Sequence, residues 1–364
     1  MAILIGMDEA GYGPNFGPLV VAATVWEVGD EVVCPRLDVR NGEPASAGGE
    51  LGVATLTPVR RTERALHHND IDLYRALRNI VSKSASERRV AIADSKSLYH
   101  PGLGLRQLER GVHSVLLAMQ QRVASWSAMV QCCGADPGNL HSRFCWPADF
   151  DCPLPIDAAA DELTRLSARF ARACDAADVR PILIRARLVF PAEFNELVVY
   201  YGTKGAALSH ITVGLLRAVT EAVCPDDPQF PAPSPQPPIH AVCDKHGGRN
   251  FYASLLQHHF SEHWIEPIYE SAAESRYEWG TPESRVRVAF RTKGERFLPT
   301  ALASMTAKYL RELAMRAFNT FWAAHVPDLR PTAGYPADAH RFRKAIAAAQ
   351  RKLKIDDHVL WRNR

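Results

Sequence analysis

The sequence predicts an α/β domain. Two observations carry that expectation. Short apolar runs of strand character alternate with longer segments of helical spacing, and carboxylates stand where three of the apolar runs end, at Asp8, Asp94 and Asp244. Open α/β sheets bind their ligands at the carboxyl ends of strands, so the acids mark where a site is expected.

Taken in order, residues 3–5 and 19–26 read as strands joined by a glycine loop. Residues 36–69 carry Gly42, Pro44, Gly48, Gly49 and Pro58 and read as an irregular insertion. Helical spacing returns at 73–81, and 90–93 form a short strand ending at Asp94. Residues 105–123 are helical, with apolar side chains at Leu105, Leu108, Val112, Val115, Leu116 and Met119. A second insertion is expected over about 126–180, with an irregular stretch at 132–155 and a helix at 161–174. A strand at 182–190 alternates Ile182, Ile184, Ala186 and Leu188 with Leu183, Arg185 and Arg187. Pro191 opens one helix running to about 223. Residues 225–238 hold seven prolines and read as an extended connector. Strands follow at 239–243 and 286–291. Pro299 and Pro336 then open helices to about 322 and 353, giving a helical part over 299–364. The whole, 1–364, reads as one domain.

Composition bounds the reading. The net charge is +3, from 43 Lys and Arg against 40 Asp and Glu, which by itself demands no nucleic-acid partner. The eight cysteines are scattered, no secretory signal is visible, and no apolar run reaches the ~18 residues that span a bilayer. A reduced, cytoplasmic enzyme with no membrane partner is expected.

The chemistry concentrates at the start. Residues 3–5 run into Asp8-Glu9-Ala10-Gly11-Tyr12-Gly13. Adjacent carboxylates at the end of a buried strand are costly unless something positive neutralises them, and a divalent cation does so. Side chains alternate across a strand, so both acids serve one site only if the strand ends or bulges at Glu9. Asp244 and Glu295 each follow a strand and are expected to join them. Each alone also reads as a turn or helix-end acid. Together they suit Mg²⁺, which takes a few carboxylates, water and substrate phosphate oxygens.

Several blocks resemble type 2 ribonucleases H, the HII and HIII classes. They are 6–13 with 17–23, Asp94-Ser95-Lys96-Ser97-Leu98, Phe194-Asn195-Glu196-Leu197 through 215–219, and Val242-Cys243-Asp244. Glu295 with 301–308, and Gly334-Tyr335-Pro336 with His340, complete the set. The resemblance implies a ribonuclease H-like mixed β-sheet flanked by helices, with peripheral insertions. It implies hydrolysis of the RNA strand of RNA–DNA hybrids, or cutting at ribonucleotides embedded in DNA, leaving 5′-phosphate and 3′-hydroxyl ends. Mg²⁺ or Mn²⁺, in a two-metal arrangement, would be held by Asp8, Glu9, Asp244 and Glu295. Gly11, Tyr12 and Gly13 would approach the ribose 2′-hydroxyl, Lys96 and Lys308 would contact phosphate, and Tyr335 would stack on a sugar. At the Tyr12 position the HII class carries Arg and the HIII class Thr. Where Glu295 stands, HII usually has Asp.

Two other functions fit the same fold: a hybrid-binding protein that does not cleave, and a metal nuclease for structured DNA. Residues 245–250, Lys-His-Gly-Gly-Arg-Asn, read equally as a phosphate-binding turn or a plain one. Cys132, Cys133, His141, Cys145 and Cys152 lack the paired spacing of a structural zinc site.

Overall fold

The computed structural model describes residues 1–33, 71–135, 150–224, 236–282 and 284–363. The insertion expected at 36–69 and most of the proline-rich connector fall outside these residues. So do His141 and Cys145.

Seven strands form one mixed sheet: β1 (Ala2–Ala10), β2 (Leu19–Val28), β5 (Val179–Val189), β6 (Ile239–Asp244), β7 (Glu266–Glu270), β8 (Glu274–Trp279) and β9 (Val286–Arg291). Their spatial order is β5-β2-β1-β6-β9-β8-β7. β1, β2 and β5 are antiparallel neighbours, whereas β1, β6 and β9 run parallel. β3 (Val81–Ser82) and β4 (Val90–Ala91) pair separately. This is the mixed sheet flanked by helices that the sequence predicts.

Alternation along the strands divides the apolar residues between two cores. On one face Leu4, Val20, Ala22 and Trp26 meet three helices: α1 (Arg106–Ala118), α2 (Ala160–Ala176) and the long α6 (Leu298–His325). Trp126 and Phe170, from the 126–180 stretch, are fully buried in this core. On the other face Ile3, Ile5, Met7, Val21 and Val25 meet α4 (Lys204–Val223) and α5 (Ala253–His259). By length and composition α4 is apolar enough to cross a membrane. Its Leu208, Ile211, Val213, Leu216 and Val219 are buried in this second core.

Three elements differ from expectation. The helix expected over 192–223 is two, α3 (Pro191–Tyr201) and α4, because Gly202 turns left-handed and Thr203 caps α4 through the Ala206 N–H at 3.1 Å. The segment 73–81 is helical only over Leu73–Ala76 before it enters β3. The β7–β8 hairpin had no strand expectation. β7 is an exposed edge that contains Pro267, and its residues carry no period-2 apolar pattern. A final helix, α7 (Pro336–Leu353), starts at its proline as expected.

The closest backbone approach is at Gly6. A Cβ there would lie 2.0 Å from the Thr300 nitrogen and 2.1 Å from the Pro299 carbonyl carbon. The first turn of α6 therefore rests directly on β1. Thr300 donates to the Val242 carbonyl at 2.9 Å, and Thr24 donates to the Pro299 carbonyl at 2.8 Å. Those bonds tie α6 to β6 and β2 as well. Gly6→Ala forces this turn off the sheet and is expected to destabilise the protein by roughly 3 kcal/mol or more, at the upper end of overpacking costs. Thermal or urea denaturation measures it, and an unchanged midpoint would show that α6 is free to shift.

Candidate active site

The acids are presented at the end of β1, although not as expected. β1 keeps regular register with β2 through Asp8↔Ala22, Glu9↔Val21 and Ala10↔Val20, so there is no bulge at Glu9. Pairing with β6 stops earlier, at Met7↔Cys243. The β6 side of Asp8 and Glu9 is thus open, and Asp244 emerges beside it. Both acids reach one site because a neighbouring strand ends, not because their own does.

Asp8, Glu9, Asp244 and Glu295 form one electrostatic group. Loss of water pushes the Asp8 carboxyl well above the usual range, and Glu9 and Asp244 raise it further. Burial, then Asp244, pushes Glu9 from 4.5 up to about 7. Asp244 is raised by burial and by Glu295, against a hydrogen bond from the Gly294 N–H at 3.1 Å. Glu295 lies in the turn Gly294–Arg296, between β9 and α6. Buried Ser304 of α6 offers Asp8 a hydrogen bond. Its hydroxyl also lies 3.1 Å from that of Ser95.

Lys96 is the cation that offsets this charge. Asp94 caps the short helix Ser95–Leu98 by accepting from the Lys96 N–H at 3.1 Å, which fixes where Lys96 starts. Burial lowers its pKa, but Asp94, Asp8, Asp244 and Glu9 more than reverse that. Lys96 therefore stays charged and exposed at the mouth of the cleft.

An all-carboxylate donor set fits a hard divalent cation. Among the described residues no three of these acids bring oxygens within 4.8 Å of one another. That spread is too wide for a closed one-ion cage. A cation held there would complete its shell with water or other ligand oxygens.

The glycine loop lies next to the acids. Gly11 has φ +87°, and a Cβ there would meet Nε of Arg311 at 2.4 Å and the Pro18 carbonyl at 2.6 Å. Arg362 donates to the Gly11 carbonyl at 2.6 Å, while Arg311 donates to the Ala333 carbonyl at 2.8 Å. Both guanidiniums are fully buried. Burial, with Arg311 next to it, pulls Arg362 down to about 9. The loop is also held by the Gly334 carbonyl, which accepts from the Asn15 N–H at 2.7 Å, and by Phe16, whose ring meets Phe318, Phe342 and Trp361 at 5.1–5.6 Å. Tyr12 reaches toward the start of α4, with Nζ of Lys204 5.3 Å from its ring. Tyr335 is 45% exposed, beside Gly13 and the Arg311 guanidinium. The N–H groups of Tyr12 and Gly13 have no acceptor among the described residues.

Not every expected residue joins the cleft. Lys308 pairs with Glu312 at 2.6 Å and covers the Tyr99 ring at 4.4 Å, so its charge is already engaged. The turn after β6 is structural. Lys245 points inward to Asn250 at 2.8 Å and to the Ala272 carbonyl at 3.1 Å, and His246 lies buried against Ser209 at 3.0 Å. Arg341 and Arg343, of the last long helix, are ion-paired to Asp338 and Asp357. Sequence reading missed Ser304, Arg311 and Arg362. The first two stand with Lys308 at i, i+4 and i+7 on α6, a polar stripe on an otherwise apolar helix. Arg362, two residues from the chain's last residue, carries no such signal.

No protein-family model matches the chain, and no curated protein matches its sequence. Solved structures do resemble it. The RNase HII of Archaeoglobus fulgidus, determined with PCNA, aligns with 100% of this chain and 94% of its own at 13% identity and TM-score 0.38. Ribonuclease H2 from Pyrococcus horikoshii OT3 aligns with 98% of this chain and 92% of its own, at 14% identity and TM-score 0.40. The likeness is one of fold, to type 2 ribonucleases H. Bst-RNase HIII, determined with Mn²⁺, aligns with 99% of this chain but 66% of its own, at 12% identity and TM-score 0.37. These likenesses concern the ribonuclease H-like fold alone, and the chemistry is read from the cleft itself.

The raised acids give the metal-free protein a defined pH dependence. A carboxyl held above its ordinary value favours the protonated folded state. That contribution is complete below about pH 4.5 and is lost as pH rises through about 7 for Glu9. In EDTA, Glu9→Gln is expected to melt a few degrees above wild type at pH 8 and close to it at pH 5, at roughly 2–4 °C per kcal/mol. Saturating Mg²⁺ narrows the gap. A gap equal at both pH values would show that Glu9 is not desolvated.

Proposed function

We propose that this chain is a divalent-metal-dependent endoribonuclease that hydrolyses the RNA strand of RNA–DNA hybrids, or DNA at embedded ribonucleotides. The observation that carries the reading is the meeting of four acids and Lys96 with a glycine loop in which, among the described residues, two backbone N–H groups have no acceptor. Acids in excess of cations are tolerated where a metal completes them. Such N–H groups fixed beside them suit a ligand oxygen, and the ribose 2′-hydroxyl is the oxygen that separates RNA from DNA.

In this reading Asp8, Glu9, Asp244 and Glu295 hold Mg²⁺ or Mn²⁺. When bound, these ions supply the positive charge against which a phosphodiester displacement develops. The chain does the rest. Lys96 contacts a non-bridging phosphate oxygen. Gly11, Tyr12 and Gly13 hold the ribose through backbone that Arg311 and Arg362 keep rigid. Tyr335 lies flat against the next sugar. Lys83, Lys293 and Arg296 are exposed along an open groove of about 610 Å³ beside Gly294, where they would follow the strand's phosphates. Lys308, engaged with Glu312, contributes phosphate contact only by exchanging that partner.

The test is cleavage of a labelled RNA–DNA hybrid, and of a DNA duplex carrying one ribonucleotide, with Mg²⁺, with Mn²⁺ and with EDTA. Metal-dependent cutting of either, absent on pure DNA, is expected. Asp8→Asn should lower turnover at least roughly a hundredfold, and Lys96→Met on the order of a hundredfold, each with an unchanged circular dichroism spectrum. Equal cutting of pure DNA would mark a structured-DNA nuclease. Binding without cutting, in folded protein, would mark a hybrid-binding module.

A further inference from the structure

A second donor cluster, between α4 and α5, has different chemistry. His210 projects from α4, and His258 and His259 from the end of α5. One ring nitrogen of each lies within 4.8 Å of the other two. Nδ1 of His210 and Nε2 of His259 are 3.1 Å apart, so one ring donates to the other. Two imidazoles on one tetrahedral zinc, at about 2.0–2.1 Å each, hold their nitrogens about 3.3–3.4 Å apart. The pair is therefore already spaced as ligands.

The rings converge without stacking: His210 is tilted 51° from His259 and 85° from His258. Tyr201 lies flat on His210, with centroids 3.8 Å apart and planes within 8°, which fixes that ring's orientation. Burial and the other two histidines hold His259 neutral down to about 4, the form that coordinates. Arg187 and Arg217 flank the cluster and are each neutralised by a glutamate, Glu193 and Glu262. A small cleft of about 300 Å³, bordered by Tyr201, His210 and His259, gives access from solvent.

We propose that His210, His258 and His259 form a binding site for a borderline divalent cation, Zn²⁺ in the first instance, that ties α5 to α4 and leaves one coordination position to water. Imidazole donors select Zn²⁺ over the Mg²⁺ preferred by carboxylates, so the two sites would sort cations by ligand type. The proposal stands apart from any nuclease activity.

The test is calorimetric titration of untagged, metal-stripped, full-length protein with Zn²⁺ under excess Mg²⁺, paired with visible absorption on Co²⁺ addition. One Zn²⁺ per chain, bound at micromolar affinity or tighter, is expected, with the absorption of tetrahedral Co²⁺. His258→Ala, at an exposed position, and His210→Gln should each weaken binding at least tenfold. Asp8→Asn should leave it unchanged. No Zn²⁺ binding, binding indifferent to both histidine variants, or binding lost in Asp8→Asn would each overturn the proposal. Circular dichroism of each variant separates loss of ligand from loss of fold.

Discussion

The backbone contact between the first turn of α6 and Gly6 of β1 is the constraint on which the rest depends. It has no side chain to relax, and it is closed on both sides by threonine hydroxyls bonded to carbonyls of neighbouring elements. With α6 fixed there, Ser304 necessarily faces Asp8 and Ser95, and Arg311 necessarily lies under Gly11. One helix start thus sets the distance from the sheet to the acids, to the Lys96 turn and to the glycine loop.

The same contact explains how opposite charges coexist a few residues apart. Arg311 and Arg362 are buried under the loop, while Asp8 and Glu9 open at its entrance. Buried arginines and desolvated carboxylates would ordinarily pair. Here Arg362 is held by the Gly11 carbonyl, and Arg311 by the Ala333 carbonyl and by Glu312 at 3.5 Å, which engages both away from Asp8 and Glu9. The acids therefore remain under-neutralised, with Lys96 as the partial counter-charge. The fold carries a stability cost at this point, as expected where a charged ligand completes a site.

How much of this the residues disclose depends on the range of the interaction. Elements with a local signal read correctly: α7 begins at Pro336 and β9 spans 286–291, as their apolar period and proline punctuation imply. The acids were legible because charge at a strand end is a local anomaly. The route by which Glu9 reaches the cleft was not, because it depends on where β6 stops pairing, more than 230 positions away. The break at Gly202 sat inside an apolar helical pattern that masked it. The β7–β8 edge has too little periodicity to announce a strand. Arg362 and the His210, His258, His259 cluster join residues from separate elements, and no spacing rule reaches across such gaps.

The two donor clusters show why residue type and placement both matter. The sheet's strand ends gather carboxylates where β6 leaves an edge open, and a wide, hard-donor cleft results. The face covered by α4 and α5 gathers imidazoles between two helices, where ring orientation is set by stacking on Tyr201 and by the short reach from α5. In the proposed reading, a cation that needs water and phosphate oxygens in its shell would be held at the first, and one that prefers nitrogen at the second.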